Sequence, residues 1–213
     1  MQIKDKEGEQ LENYTKYKLK SNEELISLLA DKDNLFIITC NKCFKEFETI
    51  DEPECGELEK LVTEQGKKVT GTARVDFLCN STQTEKKLQD MIPEGTEHIL
   101  VASCGLGIQT VAALAGRPVY AASNSLNYTG HHGMALTKKS CDACAQCYLN
   151  VTGGICPIVD CSKSLVNGQC GGAKNGKCEV DPDKDCAWEK IYRRLEKQGR
   201  LEEFLDQPVQ LRD

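Results

Sequence analysis

With 213 residues and 39% apolar content, the chain has room for one large or two small domains around a buried core, and a net charge of −6 argues against a general nucleic-acid binder. Its first twenty residues, MQIKDKEGEQLENYTKYKLK, are charged and hold no apolar signal region, and no apolar run approaches the roughly 18 residues of a membrane span. The expectation is a cytoplasmic protein without a membrane span, in which 13 cysteines point to metal or redox chemistry rather than to a disulfide framework.

In chain order, Ser21 and Glu24 make a capping box in front of ELISLLA, which predicts a short amphipathic helix. LFIIT (35–39) is a continuous β-branched apolar run, as expected of a strand buried on both faces. Pro53 opens a helical pattern through GELEKLVTEQ that stops at Gly66. KVTGTARVDFL (68–78) predicts a second strand, and STQTEKKLQDMI a helix capped at Ser81. HILVAS (98–103) is a third strand, GIQTVAALAG a helix ending at Gly116, and RPVYAA a fourth strand. Strands alternating with helices of this length imply βαβ units. The expectation is an α/β fold with a small parallel-sheet, Rossmann-like domain over residues 1–135.

Placed on that sheet, Cys40 follows the first strand, Cys79 the second and Cys104 the third, so all three fall at the edge where open α/β sheets bind ligands. Cys43 lies one turn beyond Cys40 and completes four thiolates, the count of a 4Fe–4S cluster or a tetrahedral zinc. Cys55 is an alternative ligand or a small buried residue. CNKC also has the spacing of a thioredoxin-like pair, a reading that leaves Cys79 and Cys104 without a role. CGLGIQT is similar to a dinucleotide fingerprint but has Thr110 in place of the third glycine, and no acidic residue follows near Leu126. It is better read as a tight turn carrying a cysteine and a helix N-terminus to the sheet edge.

Residues 136–213 form a second, cysteine-rich region. It opens with Cys141-x2-Cys144-x2-Cys147, the start of a bacterial-ferredoxin motif, followed after eight residues by Cys156-Pro157 and then by Cys161, Cys170, Cys178 and Cys186. Eight thiolates fill two four-thiolate sites. Zinc satisfies the same count, but structural zinc sites come as separated C-x2-C pairs, whereas uninterrupted x2 steps are the iron–sulfur habit. Spacing leaves open which thiols share a site. His131 and His132 are metal ligands or part of a solvated linker. AWEKIYRRLEKQGRLEEFL predicts a closing helix that Trp188 begins, with Ile191, Leu195, Leu201, Phe204 and Leu205 on one side, as core or as a face for a partner. With no phosphate loop, catalytic triad or acid–base pair evident, the residues predict an electron carrier without catalytic residues of its own.

The run TGGICPIVDCSKSLVNGQCGGAKNGKCEVDPDKDCAWEKIYRRLEKQGRLEEF (152–204) resembles the C-terminal domain of the methylenetetrahydrofolate reductase family, whose blocks TGG-x-CP, C-x-K-x-L-x-NG-x-CGG, GKCEV and C-x-W it repeats in order. Upstream, CNKC, GKKVTG and SCGLGIQTVA are similar to the separate iron–sulfur small subunits of that family. One departure is that FKEFETIDEPEC follows Cys43, which places Cys55 later than the third cysteine of many relatives. The resemblance implies an electron-transfer subunit of a methylenetetrahydrofolate reductase complex, with FMN on a MetF-like catalytic partner and a further donor subunit or ferredoxin behind it. Combined with the thiol count, the expectation is three 4Fe–4S clusters, one on Cys40, Cys43, Cys79 and Cys104 and two on the eight later cysteines, with zinc as the alternative at one site. The competing expectation is a zinc-stabilised scaffold that docks the catalytic subunit and carries no electrons.

Overall fold

The computed structural model describes residues 16–41, 52–127 and 140–212. Cys43, His131, His132 and the side chain of Cys55 lie outside the described residues. The elements in chain order are β1 (Lys16–Leu19), α1 (Asn22–Leu29), β2 (Leu35–Cys40), α2 (Glu52–Glu64), β3 (Val69–Val75), α3 (Ser81–Met91), β4 (His98–Ala102), α4 (Gly105–Leu114), β5 (Val119–Ala121) and β6 (Ser123–Asn127). A 3-10 turn (Tyr148–Asn150), α5 (Pro157–Asp160), α6 (Ala187–Lys197) and α7 (Leu201–Leu205) follow.

Four strands pair in parallel in the order β3-β2-β4-β5. Successive side chains of a strand point to opposite faces, and here both faces are covered. Leu35, Ile37, Leu100, Ala102 and Tyr120 pack with Leu25 and Leu29 of α1 and Leu58 and Val62 of α2. Phe36, Ile38, Ile99, Val101 and Val119 pack with Leu88 of α3 and Ile108 and Val111 of α4. Burial on both faces is why LFIITC shows no polar alternation; all six of its residues are buried. Each large side chain so buried contributes about 1.5–3 kcal/mol.

The α/β class and the parallel sheet agree with expectation, and so does the Ser21 cap, whose hydroxyl accepts from the Glu24 amide at 3.2 Å. Three details differ. The cap of α3 is Asn80 rather than Ser81, because Asn80 Oδ1 accepts from the Gln83 amide at 3.1 Å. An antiparallel ribbon of β1 and β6 lies beside the sheet; KYKL alternates polar and apolar residues over only four positions, and SNSLN holds a single apolar residue. The closing helix is two helices. Gly199 at φ 67 ends α6 in a Schellman motif, its amide reaching Glu196 O at 3.0 Å while the Arg200 amide reaches Leu195 O at 2.8 Å. Trp188, Ile191 and Leu195 are buried as core, Leu201 and Phe204 pack against them, and Leu205 is exposed.

The cysteine-rich region packs onto the sheet. Leu149 joins the core of α4 and β5. The Asn150 amide extends the β5 edge, accepting from the Ala121 amide at 2.6 Å and donating to Ala121 O at 3.1 Å. Arg194 Nη1 donates to Ala112 O at 2.8 Å, tying α6 to α4.

His98, at the start of β4, gives the fold a pH dependence. Its Nδ1 is buried without a partner among the described residues, and burial first, then the nearby Lys32, holds its pKa below the ordinary 6.5. The unfolded chain therefore takes up the proton first as pH falls through about 6.5, and stability declines below that point. Thermal midpoints between pH 7.5 and 5 are expected to fall more steeply in the natural chain than in His98→Gln; equal slopes would remove His98 from the account.

Candidate metal centre

The chain runs outward from β2 to β3 and returns to β4 on the other side, so the topological switch point lies between the carboxyl ends of β2 and β4. Cys40 is the last residue of β2, and Cys104 stands two residues past β4 as the N-cap of α4. Cys79 lies in the turn between β3 and α3. All three are buried. Burial, and next the neighbouring Cys40, push the Cys104 thiol up to about 12, with Cys141 adding to the effect, while the Gly107 and Leu106 amides of α4 favour its thiolate. These amides face the sulfur without closing a full hydrogen bond.

The turn carrying Cys104 is set by small residues. Ser123 Oγ accepts from the Ser103 amide at 3.0 Å and donates to Ser103 O at 2.7 Å, and Ser125 Oγ accepts from the Gly105 amide at 2.7 Å. A Cβ on Gly107 would collide with Ser103 Oγ, and one on Gly105 would lie 2.7 Å from Cys141 Sγ. The glycines that are similar to a dinucleotide fingerprint thus let a sulfur approach the first turn of α4.

Cys141, Cys144, Cys147 and Cys156 line one small cavity, together with Gly105 and Gln109. The loop bends its thiols inward through Ala143 (φ 48) and Ala145 (φ 57), left-handed positions that each cost a non-glycine residue about 1–2 kcal/mol. Local bonds hold that strain: the Ala145 amide donates to Ser125 O at 3.0 Å, the Cys147 amide to Asn124 Oδ1 at 3.1 Å and the Ala143 amide to Cys141 Sγ at 3.4 Å. Burial pushes Cys147 up to about 12, against the Leu149 amide and Lys20, which favour its thiolate. Cys156 rises to about 11 by burial, opposed by the Val159 and Ile158 amides of α5 and reinforced by Cys141 and Cys144. Gln109, itself buried, gives its Nε2 to Gly105 O and Ser140 O and leaves Oε1 without a partner among the described residues.

Cys161, Cys170, Cys178 and Cys186 line a second small cavity walled by Trp188, whose Nε1 donates to Leu165 O at 2.9 Å. Two isolated bridges, Lys174–Lys177 and Lys177–Asp185, fold the segment back on itself, and the Cys186 amide reaches Gly176 O at 2.7 Å. A Cβ on Gly172 would collide with the Glu179 carboxylate, which pairs with Lys163 and accepts from Cys170 Sγ at 3.3 Å. In this group Cys170 is exposed and Cys186 buried. The Ser162 hydroxyl first, then the Val180 and Asp181 amides, lower the Cys178 pKa.

The structure thus brings Cys40 and Cys141 close to Cys104 and sorts the eight later cysteines into two groups of four, a division that spacing left open. The cysteines from Cys104 to Cys186 carry free thiols. Among the described residues, no three His, Cys, Asp or Glu side chains converge tightly enough to hold a single metal ion. Sulfur donors in fours, facing small cavities with amides directed at the sulfurs, fit a cubane cluster, each of whose four irons takes one thiolate so that the sulfurs do not meet at one point. The supporting residues Gln109, Ser125, Ser162 and Lys20 have no sequence motif that marks them.

Residues 120–213 match the family model described as Methylene-tetrahydrofolate reductase C terminal. The match covers both four-cysteine groups, so this part of the chain is similar to that family. No curated protein and no solved structure matches the chain. Among the described residues, no helix is long and apolar enough to cross a membrane.

Proposed function

We propose that the chain is the iron–sulfur, MetV-type subunit of a methylenetetrahydrofolate reductase complex, passing electrons in the cytoplasm to or from a flavin-containing, MetF-like catalytic subunit. The observation that carries this reading is the sorting of eight cysteines into two groups of four within the region that matches the reductase family. Cys141, Cys144, Cys147 and Cys156 would hold one 4Fe–4S cluster, and Cys161, Cys170, Cys178 and Cys186 another. Cys40, Cys79 and Cys104, with Cys43 as the fourth ligand, would hold a third. When bound, such clusters supply one-electron redox chemistry at potentials set by charge, burial and hydrogen bonds to sulfur.

The chain's own residues bind, space and shield these sites. Leu149 and Ile158 cover Cys147 and Cys156 of the first C-terminal group, whose Cys144 is exposed, and Trp188 walls the second. The three groups follow one another in space. Cys141 neighbours Cys104 across Gly105, and the single turn of α5 joins Cys156 to Cys161. That order suits a relay. Zinc remains the alternative at one of these sites.

The test is anaerobic purification with the flavin subunit, iron, sulfide and zinc analysis, and reduction of the flavin by the physiological donor. A chain stripped of iron is expected to leave the flavin oxidised. Flavin reduction at full rate by the stripped complex would end the relay reading, and zinc alone with no reducible signal would leave a docking scaffold.

A further inference from the structure

Between α1 and the segment 145–151, with α7 beyond, lies a cleft of about 730 Å³. That is within the usual range for small-molecule sites, about 300–1,000 Å³. Three cationic side chains from separate parts of the chain turn into it: Lys20 after β1, Lys32 after α1 and Arg200 between α6 and α7. Their side chains are only 3%, 8% and 8% exposed. Lys and Arg are rarely so buried, and gathering three positive charges in one cleft is costly without compensation.

The compensation present comes from the rim. Glu24, Asp31 and Glu203 pair with Lys20, Lys32 and Arg200 respectively, and their side chains are 50%, 70% and 42% exposed. These carboxylates, with Asp206 beside them, stand at the exposed rim, whereas the cations are buried. Lys20 Nζ also donates to Asn124 Oδ1 at 3.0 Å, and Arg200 Nη2 donates to Asn150 O at 2.7 Å. The floor is Tyr120, with Lys32 Nζ 5.3 Å and Arg200 Cζ 4.7 Å from its ring centroid. Its hydroxyl has no hydrogen-bond partner among the described residues. Burial raises its pKa above the ordinary phenol value, so the group remains a donor.

We propose that this cleft binds a small organic anion bearing phosphate or carboxylate groups, held by Lys20, Lys32 and Arg200 and by a hydrogen bond from the Tyr120 hydroxyl. The anion takes the place of the rim carboxylates, and Arg200 offers it the planar fork that suits such groups. Cys147 lines both the cleft and the first C-terminal thiol cavity, so the ligand lies against the wall of that group. The proposal does not depend on which metal the thiols hold.

The test is calorimetric titration of the full, anaerobically purified chain with inorganic pyrophosphate and, separately, with citrate. Saturable binding of at least one probe, one per chain and weakened by salt, is the expected result. Pyrophosphate alone would identify phosphate as the recognised group, and citrate alone a carboxylate. Tyr120→Phe keeps the ring and its cation contacts, so it leaves the fold intact by circular dichroism and is expected to weaken binding roughly tenfold. Arg200→Lys keeps the charge and loses the fork, with a similar weakening. No saturable heat with either probe, or unchanged affinity in both variants, would overturn the proposal.

Discussion

Replacing Cys156 by alanine is expected to remove about four irons per chain, and replacing Cys147 as well is expected to remove no more. Replacing Cys178 in the Cys156→Ala background should remove about four further irons, or one zinc if the second group holds that metal. The logic is that of coupled sites: two changes within one four-thiolate group destroy the same cluster, whereas changes in different groups add. The grouping rests on which thiols share a cavity, Cys141, Cys144, Cys147 and Cys156 on one side of α5 and Cys161, Cys170, Cys178 and Cys186 on the other. Iron and zinc analysis beside far-UV circular dichroism separates loss of a cluster from loss of the fold. If Cys156→Ala with Cys178→Ala lost only what each loses alone, the two thiols would share a cluster and the grouping would be wrong.

The parallel sheet was legible because its strands are buried on both faces. LFIITC and HILVA carry continuous apolar runs, and capping residues mark the helices between them. The sheet-edge positions of Cys40, Cys79 and Cys104 follow from strand order, since each stands at or just beyond the end of one parallel strand. What stayed hidden depends on contacts between distant residues. The partition of the eight cysteines is set by left-handed Ala143 and Ala145 and by a serine and an asparagine on β6, none of which forms a local pattern. The β1–β6 ribbon is short, and the apolar face that Tyr17 and Leu19 turn to the core spans only two residues, too few to register as a pattern. Gly199 carried the break between α6 and α7 in plain view, but the apolar spacing continued across it through Leu201 and Phe204, and periodicity outweighed the stop signal. The cleft beneath Lys20, Lys32 and Arg200 joins residues up to 190 positions apart, from Lys20 to Gln210. No window of sequence contains it.

Gly154→Ala is expected to loosen the cysteine-rich region from the sheet and to lower the thermal midpoint by about 10 °C. Gly154 has φ +83, and an added Cβ would collide with Ala112 Cβ on α4. The left-handed backbone alone costs a non-glycine residue about 1–2 kcal/mol, and overpacking a buried contact adds about 1–3 kcal/mol. The contact has little room to give, because the Gly154 amide is tied to Leu149 O at 3.0 Å and Arg194 Nη1 bonds both Ala112 O and Gly153 O. Gly116→Ala supplies the comparison: its φ is +65 but nothing lies within 4 Å of the added carbon, so it measures the backbone cost alone. The excess of the first loss over the second is the cost of the clash. Ala112→Gly in the Gly154→Ala chain should recover part of that excess and none of the backbone cost. Equal losses at the two glycines would mean that Gly154 and α4 do not meet as closely as described. An excess that Ala112→Gly relieves would fix this contact as the seam between the sheet and the thiol groups, so that loosening it should also free iron from Cys141–Cys156 before the fold is lost.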